Sequence, residues 1–100
     1  MNMQAIMKQA QAMQKEITGI KEKIDNTIFE GKSSFVSVKV KGTKELVEVK
    51  IEETAKELVN DDLSMLEDMI VVALNDAFTQ VDKTTEEKMG KYSNMMNGLM

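Results

Sequence analysis

The sequence predicts one α+β domain of the order α-β-β-β-α, an antiparallel three-stranded sheet flanked by two long helices, assembled as a homodimer. Three observations carry this. The chain opens on an apolar repeat of helical period, switches to period two in the middle, and returns to a long apolar stretch behind helix-starting residues. One hundred residues hold one core. The domain is read over residues 1–92, with 93–100 as a frayed tail.

The first helix is read over residues 2–24. Met3, Met7, Ala10, Met13, Ile17, Ile20 and Ile24 recur about every 3.5 residues, a narrow seam of coiled-coil type. Gln4, Gln9, Gln11, Gln14 and Lys15 favour helix on the other sides, and Asn2 suits the N-cap. Gly19 interrupts at a cost of about 1 kcal/mol against alanine. The methionine stripe is read as packing rather than as a thioether metal site.

The sheet follows. Val36, Val38 and Val40 alternate with Ser37, Lys39 and Lys41, and Val47, Val49 and Ile51 alternate with Glu48, Lys50 and Glu52. Such alternation marks half-buried strands, and the Gly42-Thr43 connection folds the pair into an antiparallel hairpin. A shorter strand is read at Thr27 to Glu30, ending at Gly31 and a Lys32-Ser33-Ser34 loop.

Residues 53–63 read as a connector with one helical turn at Ala55–Leu58. The second long helix starts near Asp62 or Ser64, where Ser64-x-x-Glu67 matches a capping box. Leu66, Met69, Ile70, Val71, Val72, Ala73, Leu74, Ala77, Phe78 and Val81 cover more than one stripe of it. Asn75 and Asp76 interrupt the apolar run and need partners if they face inward. Thr84-x-x-Glu87 leaves open a break near Thr84 or a helix reaching Lys88 and beyond. The seam and the many-sided second helix exceed what one copy buries, which is the argument for a homodimer. Met3, Met7, Met13, Ile17, Leu66, Ile70, Ala73, Leu74 and Phe78 are its expected dimer and core residues.

Composition narrows function. There is no Cys, His, Pro, Trp or Arg, and lysine supplies all 13 positive charges. Missing Cys and His remove the usual thiolate, general-base and zinc chemistry. Adjacent carboxylates such as Glu52/Glu53 and Glu86/Glu87 point in different directions, and no glycine-rich phosphate loop is present. No catalytic residue, metal site, cofactor or small-molecule substrate is expected. The apolar run Met69 to Leu74 is far short of the roughly 20 residues that span a bilayer. The N-terminus does not read as a signal peptide. A cytoplasmic protein without membrane partners is expected.

The net charge of −4 is unevenly spread. Residues 52–68 hold seven carboxylates against Lys56, whereas residues 1–24 carry Lys8, Lys15, Lys21 and Lys23 against Glu16 and Glu22. Lys8 and Lys15 are one heptad apart, and Lys88 and Lys91 are neighbours on a continuing helix. These six lysines are either a solvated helix surface or candidate contacts to DNA phosphates. Lysine neutralises phosphate as a point charge, and without arginine the bidentate reading of guanine is lost. Binding read from these residues is therefore weak, salt-sensitive and indifferent to sequence. The other reading is an acidic dimeric adaptor or chaperone. It uses the Met-rich first helix and tail as an adaptable surface and the acidic stretch against basic partners.

The opening MNMQAIMKQAQAMQKEI (1–17), the block MLEDMIVVALNDAF (65–78), the run EKMGK (87–91) and the central VKVKGTKELVEVKIE (38–52) together resemble the YbaB/EbfC nucleoid-associated family. The likeness spans nearly the whole chain in order. It implies an α-β-β-β-α protomer in a tweezer-like homodimer, binding double-stranded DNA in the bacterial nucleoid, influencing gene expression and catalysing nothing.

Overall fold

The computed structural model describes the backbone of residues 2–59 and 62–98 and the side chains of residues 2–57 and 62–92. Six elements follow one another: α1 (Met3–Asn26), β1 (Ile28–Ser33), β2 (Val36–Lys41), β3 (Leu46–Ile51), α2 (Ala55–Val59) and α3 (Leu63–Gly98). The α+β order expected from the periodicities is the observed one, with the short helical turn after the sheet present as α2. The Leu58 and Asp61 side chains, and those of the 93–100 tail, lie outside the described residues.

Asn2 caps α1 as its short polar side chain suggests. Its Oδ1 accepts from the backbone N–H of Gln4 at 3.1 Å and of Ala5 at 3.4 Å. The helix runs two residues past Ile24 because its last turn is tied by side chains. The Asn26 amide donates to the Glu22 carbonyl at 2.9 Å and the Thr27 hydroxyl to the Lys23 carbonyl at 2.6 Å. Replacing Asn2 by alanine is expected to cost about 1 kcal/mol at this terminus. Faster hydrogen exchange of the Gln4 and Ala5 amides, with the sheet amides unchanged, is the reading that checks it.

The sheet order is β1-β2-β3, antiparallel throughout. β1 does not stop at Gly31. It continues to Ser33, pairing Gly31 with Val38 and Ser33 with Val36. The reason is packing. A Cβ on Gly31 would lie 2.0 Å from the Ala73 carbonyl oxygen and 2.8 Å from the Ala77 Cβ, so the glycine is the point where α3 presses onto β1. The turns are made instead with Ser34 and Lys44 at positive φ, 47° and 69°.

α3 covers one face of β1 and β2. Met69, Ala73, Ala77 and Val81 form a buried row four residues apart, packed with Phe29, Val36, Val38 and Val40, while Phe35, Leu66, Ile70, Leu74 and Phe78 flank it. Burying each large apolar side chain contributes about 1.5–3 kcal/mol. Asn75 and Asp76 face outward, and Asp76 finds a partner by reaching to the sheet edge, where it accepts from the Lys32 N–H at 3.0 Å. Of the two expected starts, the helix takes Asp62 rather than the box at Ser64. Asp62 precedes the first turn and accepts from the Ser64 N–H at 3.1 Å and from its hydroxyl, which holds the Asp62 carboxyl below its usual value. No break occurs at Thr84, and α3 is helical to Gly98.

Two expectations about burial fail in an informative way. β3 alternates like β2, yet all of its residues are exposed, because α3 lies over β1 and β2 and leaves the third strand bare. The seam of α1 is half-buried at Met13, Ile17 and Ile20 and buried at Ile24, but Met3 and Met7 stand 72% and 58% exposed. α1 approaches the sheet at its C-terminal end, where Gly42 leaves no space for a Cβ against the Ile24 carbonyl. From there it runs beside the distal part of α3, giving a body of 72 × 21 × 15 Å.

Candidate nucleic-acid interface

The lysines divide by element. On the sheet and its turns all but Lys50 are engaged with carboxylates: Lys32 with Glu30 at 3.6 Å, Lys39 with Glu48 at 3.5 Å, Lys41 with Glu45 at 3.7 Å and Lys44 with Asp82 at 2.9 Å. On the projecting helices the pattern reverses. Lys8, Lys15, Lys21, Lys23, Lys88 and Lys91 are exposed, and no ion pair forms at any of them among the described residues. The same holds for Lys50 on β3, Lys56 on α2 and Lys83 on α3.

Helix geometry sorts the six candidates. At about 100° per residue Lys8, Lys15 and Lys23 fall within about 80° of one another on α1, with Ala12 and Gly19 between them. Lys21 sits about 160° round the helix from Lys23 and does not share that face. On α3, Lys88 and Lys91 are about 60° apart.

Lys23 and Lys91 meet across the helices. Both line a hollow of about 350 Å³ with Glu16, Gly19, Ile20 and Tyr92. A neighbouring hollow of about 310 Å³ continues along Gln9, Ala12 and Met13 and shares Glu16, Lys91 and Tyr92. Nothing lies within 4 Å of where a Gly19 Cβ would stand, so its absence opens the groove rather than admitting a packing partner.

Tyr92 organises the groove. It is only 6% exposed, its hydroxyl donates to Glu16 Oε2 at 2.6 Å, and the Lys91 ammonium lies 4.9 Å from its ring centroid. Interaction with the Tyr92 side chain, by hydrogen bonding and charge, holds Lys91 above the usual lysine value, with a smaller pull from the Glu16 charge. Sequence reasoning missed Glu16 and Tyr92, which lie 76 residues apart and carry no local motif. The one available hint was a charge at Glu16 beside the apolar seam.

Comparison with known proteins then decides the family. The model of the YbaB/EbfC DNA-binding family matches residues 1–96. The chain belongs to this family. A nucleoid-associated protein of Ligilactobacillus salivarius is 41% identical over 101 residues, covering 99% of this chain and 95% of the relative. A nucleoid-associated protein of Lactococcus lactis subsp. cremoris is also 41% identical, over 93% of this chain and 94% of its own. The crystal structure of an uncharacterised Helicobacter pylori protein has the same fold, with a TM-score of 0.68 at 28% identity over 96% of this chain and 98% of that one. The family is one of DNA-binding proteins rather than enzymes, and the chain carries neither Cys nor His. No helix among the described residues is long and apolar enough to cross a membrane.

Proposed function

We propose that the protein is a nucleoid-associated DNA-binding protein that holds duplex DNA as a homodimer, loosely and without reading sequence, through lysine–phosphate contacts. The observation that carries the reading is the division of the lysines. Four of the five on the sheet and its turns are ion-paired, Lys50 being the exception, while Lys8, Lys15, Lys23, Lys88 and Lys91 form no ion pair on the projection made by α1 and α3. Lysines spaced by about 10–12 Å along α1 neutralise phosphates without reaching base edges. The net negative charge does not oppose this. Asp62 and Lys91 are separated by 29 residues of one helix, about 43 Å, against a screening length of about 8 Å at physiological salt. Binding of this kind sits in the micromolar range or weaker.

Homodimer formation is supported by the apolar surface the protomer leaves uncovered. Leu46, Val47, Val49 and Ile51 on β3 and Leu63, Met65, Val71 and Val72 on α3 are exposed. The two sheet edges also differ. At β1 the outward Lys32 N–H and Glu30 carbonyl are taken by the Asp76 carboxylate and by the Gln80 amide at 2.8 Å, whereas β3 is bare. A second copy is the proposed cover for β3 and the adjoining part of α3. Leu66, Ile70, Ala73, Leu74 and Phe78 serve the protomer's own core. In the cell such a dimer would lie along the nucleoid and influence expression by occupying DNA.

Two measurements test the reading. Sedimentation equilibrium is expected to give a mass of two chains, and Val49→Asp with Val72→Asp to give one. In a gel-shift competition, two duplexes of unrelated sequence are expected to displace a labelled duplex at the same concentration. A strong preference for one of them, or no shift with either at about 50 mM salt, sinks the proposal.

A further inference from the structure

Glu16 is the one carboxylate among the residues lining the groove, and it shares that groove with Lys23 and Lys91. Opposite charges this close would ordinarily pair, and a lysine engaged by a carboxylate is less available to a phosphate. Yet Glu16 pairs with neither lysine. We propose that Tyr92 keeps them apart: its hydroxyl holds the Glu16 carboxylate at 2.6 Å while its ring face holds the Lys91 ammonium at 4.9 Å from the centroid, leaving the groove's lysines free for phosphate. Tyr92 is thus a positioning residue for DNA binding, acting through Glu16 and Lys91 rather than by touching DNA.

The chemistry requires tyrosine specifically. The ring is buried between α1 and α3, which fixes the direction of the hydroxyl. Phenylalanine would keep the packing and the ring face beside Lys91 but remove the hydroxyl, and with it the hold on the Glu16 carboxylate and the hydroxyl's own interaction with Lys91. Glutamine in place of Glu16 would still accept from the tyrosine hydroxyl through its carbonyl, and would have no charge to neutralise a lysine. The two positions therefore make opposite predictions in combination.

The inference rests on the DNA-binding reading, and its test separates the two. Affinity for a labelled random-sequence duplex is measured by fluorescence anisotropy for wild type, Tyr92→Phe, Glu16→Gln and the double variant, with helix content checked by circular dichroism. Tyr92→Phe is expected to bind about two- to fivefold more weakly, the scale of one exposed ion pair formed per protomer. Glu16→Gln is expected to bind at least as tightly as wild type, and the double variant to recover the Glu16→Gln affinity. Unchanged binding by Tyr92→Phe overturns the inference. So does a double variant as weak as Tyr92→Phe, since a purely structural role of the hydroxyl is not rescued by removing a charge. A second measurement needs no DNA. The new ion pair in Tyr92→Phe is expected to make its melting temperature fall with added salt relative to the double variant. Parallel salt dependences overturn the inference, whereas absent DNA binding beside diverging ones removes only the DNA reading.

Discussion

Replacing Gly31 by valine is expected to abolish the native fold, and replacing it by alanine to cost about 3 kcal/mol or more. The first atom of any side chain would meet backbone: the Ala73 carbonyl oxygen at 2.0 Å and the Ala77 amide nitrogen at 2.6 Å. Neither can step aside as the end of a flexible side chain could. Relief requires α3 to lift from β1, and the lift would open the contact of Ala73, Ala77 and Val81 with Phe29 and the β2 valines. A domain of this size has about 5–15 kcal/mol in total, so the valine variant exceeds what the remaining contacts can offset. Urea unfolding followed by circular dichroism checks it. A midpoint for Gly31→Ala within experimental error of wild type would show that α3 does not press on β1 as described.

Replacing Lys8, Lys15, Lys23 and Lys91 together by glutamine is expected to lower affinity for duplex DNA about a hundredfold or more at 50 mM salt. About eight phosphate contacts are lost per dimer, and a protein with that many loses ~10³–10⁵ in affinity between 50 and 200 mM salt. Glutamine has nearly the helix propensity of lysine, and the sites are exposed, so stability should stay within about 0.5 kcal/mol. Lys21→Gln is the matched control. It removes the same charge from the other flank of α1, and its binding is expected to stay within about twofold of wild type. Anisotropy of a labelled duplex reads all three proteins.

Much of the fold was legible because it is written in local periods. The helical spacing from Met3 to Ile24, the Asn2 cap, the valine alternation of β2 and the turn at Ala55 all survive in the structure. What failed depends on contacts between distant segments. Gly31 reads as a strand end by propensity, but the approach of Ala73 and Ala77 gives it a packing role inside the strand. Thr84 reads as a cap, yet the helix passes through, and the next residue, Thr85, spends its hydroxyl on the Val81 carbonyl at 2.8 Å. β3 carries the pattern of a buried face without the cover, since α3 spans only part of the sheet width.

The candidate interface was half legible. Heptad spacing placed Lys8 and Lys15 on one flank, and nothing local could pair Lys23 with Lys91, because the groove exists only where α3 passes alongside α1. Lys21, two residues from Lys23, is separated from it by the helical turn. The joint made by Glu16 and Tyr92 was invisible for the same reason. Absence of arginine, readable from composition alone, still sets the character of the proposed binding: point charges on phosphates and no fork for guanine.

The central claim, phosphate binding by the unpaired lysines of the α1–α3 projection, is tested most directly by a salt titration. Binding of a labelled random-sequence duplex is followed by anisotropy between about 50 and 200 mM salt for wild type and the Lys8/Lys15/Lys23/Lys91 glutamine variant. The account predicts a linear fall of log K with log salt for wild type, steeper than about −7 for the eight contacts of a dimer, and a slope shallower by about 1 for each contact removed in the variant. A wild-type slope near zero, or the same slope for both proteins, would contradict it.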